Sequence, residues 1–370
     1  MRIRRRIRHI LQNITLPRTK KLYLCFDSDD WGATRVPSKE VLDNLEKEGE
    51  GMLSNAFTSL DGLETDRDVS DLIKVLTSFS DSNGKHPVFT LNMCAYSPDY
   101  KKITLNNFEK YFHQKLEDIY KTTIDSSKCL SKIFQGIEEN VFDVQMHCAE
   151  HINVSRWMKE LQSSNRLKKT CSYSITSTGS MYDKEHVFAY MDEMNVFSHE
   201  QISFLEKSIS EGKKYLSSLF IKRMESITPS CGVMPKKYEE ILSKNNFLFS
   251  KGSFKQFKSG NKHKITTKLI LKSHYYGARF VVRNCTFEPS LNEDALNDCF
   301  EDISFAFKHN KPCIISSHRI NYTSRISIQN KLNSLKLLKQ LLKQILEKYP
   351  DVVFVSTDEL TKIILKRENK

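Results

Sequence analysis

Short apolar runs rich in β-branched and aromatic residues recur along this chain, and between them lie longer stretches whose apolar positions fall three and four apart. The runs at 21–26 (KLYLCF), 86–93 (HPVFTLNM), 141–146 (VFDVQM), 246–250 (NFLFS), 278–283 (ARFVVR), 311–317 (KPCIISS) and 351–356 (DVVFVS) predict strands. SDLIKVLTSF at 70–79 and the stretch from Asn330 to Tyr349 predict helices. In the second, Leu332, Leu335, Leu338, Leu342 and Ile345 form the stripe expected to pack on the sheet. Strands alternating with helices predict an α/β fold around a largely parallel sheet. No repeat or low-complexity linker interrupts residues 21–370, which therefore read as one domain.

The residues just after each run carry most of the chemistry. DSDDWG follows the first run, and CAYSPDY follows the second with Asn92 just inside it. Later runs are followed by HCAEH, NCTFEPS, HRINY and TDE. In a parallel barrel or open sheet these positions share one face, the carboxyl edge of the strands, where active sites form.

Composition narrows the class. The chain has 370 residues and 39% hydrophobic content, enough for a sizeable core without disulfides or structural zinc. No apolar window approaches the length of a membrane span. Nine cysteines with no CxxC pair, several inside apolar runs, point to a reducing compartment. No apolar signal core follows the first arginines, so the expected location is the cytoplasm.

The net charge of +12 is uneven: residues 1–21 hold eight Lys and Arg and no acid. Within the arm 1–20, Ile3, Ile7, Ile10, Leu11 and Ile14 fall at helical spacing up to Pro17. Such a basic amphipathic helix can rest on the anionic inner face of a membrane or pack on the domain. No interleaved aromatic and basic module marks a nucleic-acid surface.

At the strand ends, Asp27, Asp29 and Asp30 repel one another unless solvated, hydrogen-bonded or bound to a cation. An Asx-type turn into Gly32 is the alternative. His147 and His151 at i and i+4 would share one side of a helical turn, suiting two ligands of a zinc-like ion. His318 is placed to act as a general acid, or it is structural. Trp31 stacks on a sugar ring or packs in the core. Asn92, Arg283 and Arg319 read as substrate clamps or as salt-bridge partners.

Taken together, a Phe-Asp-x-Asp-Asp block, a His-x-x-x-His block and a late histidine after an apolar strand resemble the polysaccharide deacetylase family, the NodB-homology or carbohydrate esterase 4-type enzymes. SDDWG, HCAEHINVSRWMKELQ, RNCTFEPS and ISSHRINY are similar to a divergent group associated with bacterial surface-polysaccharide biosynthesis, over roughly residues 22–360. The resemblance implies a distorted (β/α) barrel holding a divalent metal, zinc first, with cobalt, nickel or manganese as alternatives. It implies Asp30, His147 and His151 as metal ligands, Asp29 as catalytic base with Asp27 as a substitute, and His318 as acid. The implied substrate is an acetylated sugar or glycan precursor. Three positions depart from the family pattern: Trp31 follows the acid pair where glycine is usual, Cys148 stands for Ser or Thr, and ITPSCGVMP keeps Pro229 but supplies no arginine.

Two other readings compete. HxxEH is also a metallopeptidase signature with Glu150 as base, although that motif belongs inside a long helix. A sugar-binding barrel without turnover would keep the fold and lose the chemistry.

Overall fold

The apolar runs pair side by side, as their composition requires for strands covered on both faces. The computed structural model describes residues 2–182, 188–235, 237–259, 265–272, 274–275 and 278–368. Its main sheet runs in the order His274–Tyr275, Ala278–Val282, Phe249–Gly252, Ser226–Ile227, Phe142–Cys148, Phe89–Cys94, Leu22–Trp31, Cys313–His318, Cys285–Thr286. All neighbours along this path are parallel except the first pair. Val352–Phe354 also pairs with the start of the first strand. The eight contiguous parallel strands curl into a distorted, open (β/α) barrel with helices around it.

Register decides what meets at the carboxyl edge. Leu24 pairs with Cys313 and the ladder runs on to Asp29 opposite His318, while Phe89 pairs with both Phe26 and Phe142. Phe26, Leu91, Val144 and Ile315 are fully buried, and Phe26 stacks on Phe89 at 4.5 Å. Each such side chain contributes about 1.5–3 kcal/mol of burial, and because the first strand is buried on both faces, slipping it by one residue would exchange its barrel-facing and helix-facing side chains and separate Asp29 from His318.

Several local expectations are revised. The first strand does not stop at Phe26 but continues to Trp31, and the third continues through His147 to Cys148. The expected helices span Asp66–Thr77, opened by a Thr65/Asp68 capping box, and Ile328–Lys348. Leu332 is half exposed and leaves the core stripe to Leu335, Leu338, Leu341, Leu342 and Ile345. The adjoining buried position holds Lys331, whose ammonium reaches Asp68 at 2.9 Å and Asp71 at 3.0 Å.

The amino-terminal helix spans Arg2–Asn13 and docks by its polar side. Arg8 and His9 meet the buried Asp302 at 2.9 and 2.8 Å, and Asn284 donates to Asn13 at 2.8 Å. Ile7, Ile10 and Ile14 are about half exposed. The side chains of residues 1–5, Ile3 among them, lie outside the described residues. No helix among the described residues is long and apolar enough to cross a membrane.

Candidate metal centre and active site

Two irregularities in the sheet aim the central residues. Between Ser28 and Trp31 the first strand carries one residue more than its Leu91–Met93 partner. Between Met146 and Cys148 the extra residue is His147, opposite Met93–Cys94. Such bulges bend a strand and redirect a side chain. Asp30 (φ 74°) and His151 (φ 61°) take left-handed backbone conformations that cost a non-glycine residue on the order of 1 kcal/mol or more.

The result brings Asp30, His147 and His151 together, all buried, with one ligating atom from each within 4.8 Å of the others. Nε2 of His147 and Nε2 of His151 lie 3.1 and 2.9 Å from Oδ1 of Asp30. Nδ1 of His147 is 2.8 Å from the Thr228 carbonyl, an acceptor only, so Nδ1 carries the proton. In the neutral ring the Nε2 lone pair then faces a carboxylate, an arrangement a cation between them satisfies. Burial pulls the pKa of His151 down to about 4, against the pull of Asp30, which keeps that ring in the neutral form a metal needs. The three residues therefore fit a divalent ion of the zinc class, with the remaining coordination open.

Asp29 and His318 stand beside this triad. Asp29 accepts from Nδ2 of Asn92 at 2.8 Å on one oxygen and from Nη1 of Arg283 at 2.6 Å on the other. Burial alone would raise its pKa; Arg283, His147 and His318 outweigh burial and hold it at about 2. Nε2 of His318 is 3.8 Å from Asp29, and its Nδ1 is 2.6 Å from Glu288. Glu288 is itself held by Nδ2 of Asn321 at 2.7 Å. Burial disfavours the His318 cation, but Glu288, Asp30 and Asp29 lift its pKa to about 10. Side by side are thus an ionised carboxylate with both oxygens held and a protonated imidazole.

A scan against protein-family models matches none, and no curated protein is matched either. Among solved structures, similarity is found to a Mycobacterium smegmatis protein described as a polysaccharide deacetylase, at 9% identity and a TM-score of 0.45, covering 96% of this chain and 94% of that one. A 4-alpha-glucanotransferase from Thermococcus litoralis gives 6% identity and a TM-score of 0.47, over 93% of this chain and 40% of that one. A CE4 family pseudoenzyme from Bacillus anthracis gives 9% and 0.37, over 94% and 67%. At these distances the likenesses assign no activity.

Other residues singled out in the sequence fall differently. Trp31 is fully buried and its Nε1 donates to Ser28 Oγ at 2.9 Å, so it offers no face to a sugar. Asn92 is fully buried, with its oxygen taken by Lys251 at 2.7 Å and its nitrogen spent on Asp29. Arg319 is fully buried against Asp61 and Glu64, where it buttresses the site from below the surface. Arg283 holds Asp29 rather than facing outward. Asp27 is bound to Lys251 at 2.7 Å and fully buried, which removes it from reach of a substrate.

His147 and His151 do not share a helical turn: the first lies in a strand and the second in the bend beyond it. Glu150 turns away from the triad and accepts from Ser208 Oγ at 2.8 Å, which disqualifies it as a peptidase base. Arg283 reaches Asp29 from another strand end, well away from ITPSCGVMP. Lys251, Glu288 and Arg35 were not anticipated. A lone lysine inside the apolar run FLFSKG was the one visible signal for Lys251.

Proposed function

We propose that the protein is a metal-dependent hydrolase that removes an acetyl group from an acetylated sugar or glycan precursor of surface-polysaccharide synthesis. The observation that carries this reading is the buried Asp30–His147–His151 triad, in ligating tautomer, next to an anchored carboxylate and a protonated histidine. The divalent metal, zinc being the first candidate, would supply Lewis-acid polarisation of the acetyl carbonyl and a more acidic water.

The chain's own residues divide the remaining work. Asp29, oriented by Asn92 and Arg283, takes a proton from the attacking water. His318, held by Glu288, gives a proton to the leaving nitrogen as the carbon–nitrogen bond breaks, so that water, acetyl and amine balance as acetate and free amine. An O-acetyl ester would leave as an alcohol by the same transfers. The test is metal analysis of the purified chain together with acetate release from acetylated sugar nucleotides and lipid-linked sugars. One zinc-class ion per chain with acetate release supports the reading. A metal-replete protein releasing no acetate makes it a sugar-binding barrel instead.

The proposed setting is the cytoplasmic face of a membrane. Ile7, Ile10 and Ile14 project from a helix already anchored by its polar side, beside the exposed Arg6, Arg18 and Lys20. That combination suits the headgroup region of an anionic bilayer.

A further inference from the structure

Three arginines approach the metal triad, and they differ in how their donors are spent. Arg319 donates to Asp61, Glu64 and the Ala33 carbonyl at 2.6–3.2 Å, and Arg283 donates to Asp29. Arg35 makes no hydrogen bond among the described residues. Its side chain is only 9% exposed, and its nearest carboxylate oxygens stand at 3.6 Å (Asp30) and 3.5 Å (Asp61). Its Nε is buried and unpaired. Both carboxylates are engaged elsewhere, Asp61 by three bonds from Arg319 and Asp30 by the histidines. The two carboxylates balance its charge, but the buried Nε has no acceptor, and a group that arrived to accept from it would relieve that cost.

The space for that acceptor is present. Arg35 lines a cavity of about 20 Å³ with Thr34, Phe57, Thr176, Ser177 and Tyr182. Phe57 in turn packs edge-on against His318 at 5.7 Å, and Arg35 itself stands 3.6 Å from Asp30, so the cavity lies one side chain away from the reacting groups. Since one water needs roughly 10–15 Å³ of such space, the cavity takes a group of a few atoms and not a sugar ring. A planar fork of donors in a small cavity matches a carboxylate, which can accept two parallel bonds.

We propose that Arg35 forms a carboxylate subsite beside the scissile acetyl. This rests on the deacetylase reading and narrows it. Two sources share the chemistry: an acidic acetylated sugar, and the acetate that the reaction itself releases.

Calorimetric titration of the zinc-loaded full chain separates them, with N-acetylgalactosaminuronic acid, its methyl ester and sodium acetate as probes. Binding of the acid at least tenfold tighter than its ester, with the difference lost in Arg35→Gln and partly kept in Arg35→Lys, supports a substrate carboxylate. Acetate binding that depends on Arg35, with acid and ester equal, supports a product site. Equal binding of acid and ester together with no acetate binding overturns the subsite, and the wild-type titrations alone decide this if the variants do not fold. Because binding is read without turnover, a chain that bound the acid but released no acetate would retain the subsite and lose the deacetylase reading.

Discussion

At the residue scale, the proposed function assigns holding an ion and moving a proton to different side chains. His147 contributes an Nε2 whose tautomer is set by the Thr228 carbonyl, whereas Asp29 touches the triad only through space. His147→Ala is therefore expected to lose the metal and all turnover. Asp29→Asn should keep stoichiometric metal while acetate release falls about 10²- to 10⁴-fold, the usual weight of a positioned base. Metal content by mass spectrometry beside single-turnover acetate release checks both; full turnover in either variant moves the chemistry elsewhere. His318→Gln tests the acid in the same way, with the loss smallest for substrates whose leaving group needs no proton. The anchoring on both oxygens of Asp29 explains why a conservative change there should leave the metal undisturbed: Asn92 and Arg283 remain fixed by Lys251 and Asp27.

At the element scale, the strands were legible because each is a short apolar run, and the recurrence of acids and histidines at their ends located the site. What the sequence concealed was the continuation of those strands through polar residues. Asp27, Asp29 and Asp30 read as a strand's end because buried carboxylates are unfavourable in isolation. Asp27 and Asp29 persist in a strand because Lys251 and Arg283, more than two hundred residues later, supply the compensating charge, while Asp30 lies against Arg35, His147 and His151. The same non-local origin hid the bulge at His147, which local periodicity reads as a helical i, i+4 pair.

The amino-terminal helix was legible as amphipathic, yet its docked face is the polar one, since Asp302 and Asn284 recruit Arg8, His9 and Asn13. The exposed isoleucines then become testable. Wild type should co-sediment with vesicles of phosphatidylcholine and one-third phosphatidylglycerol. Replacing Ile7, Ile10 and Ile14 by serine should abolish this at little cost to folding, because those side chains are already half in water. Equal sedimentation of both proteins, or none by wild type, removes the membrane contact.

At the scale of the whole molecule, the barrel buries acids at both ends, and their protonation ties stability to pH. Burial lifts Glu150 to about 7 and, helped by the charge of Glu150, lifts Glu193 to about 8. At the opposite strand ends burial and Asp143 lift Asp358 to about 6. A carboxyl whose pKa is higher in the folded chain than in the unfolded one holds its proton longer when folded. Its contribution is thus present below the ordinary carboxyl range and is lost as pH rises through the folded value. Asp29 has the opposite sign, stabilising above its ordinary value and losing that contribution as pH falls toward 2. Stability should therefore peak in mildly acidic solution and decline between about pH 5 and 8.

Glu193 gives access to the effect, because its Oε1 accepts from the backbone of Ala149 and Glu150 while its carboxyl titrates together with that of Glu150. Glu193→Gln keeps that acceptor and removes the titration. Relative to wild type at equal metal loading, it should gain on the order of 1–3 kcal/mol at pH 8.5 and little at pH 5, a difference of several degrees in Tm. A variant whose Tm tracks wild type across that range would mean that the Glu193 carboxylate is already compensated or solvated where it meets Ala149 and Glu150.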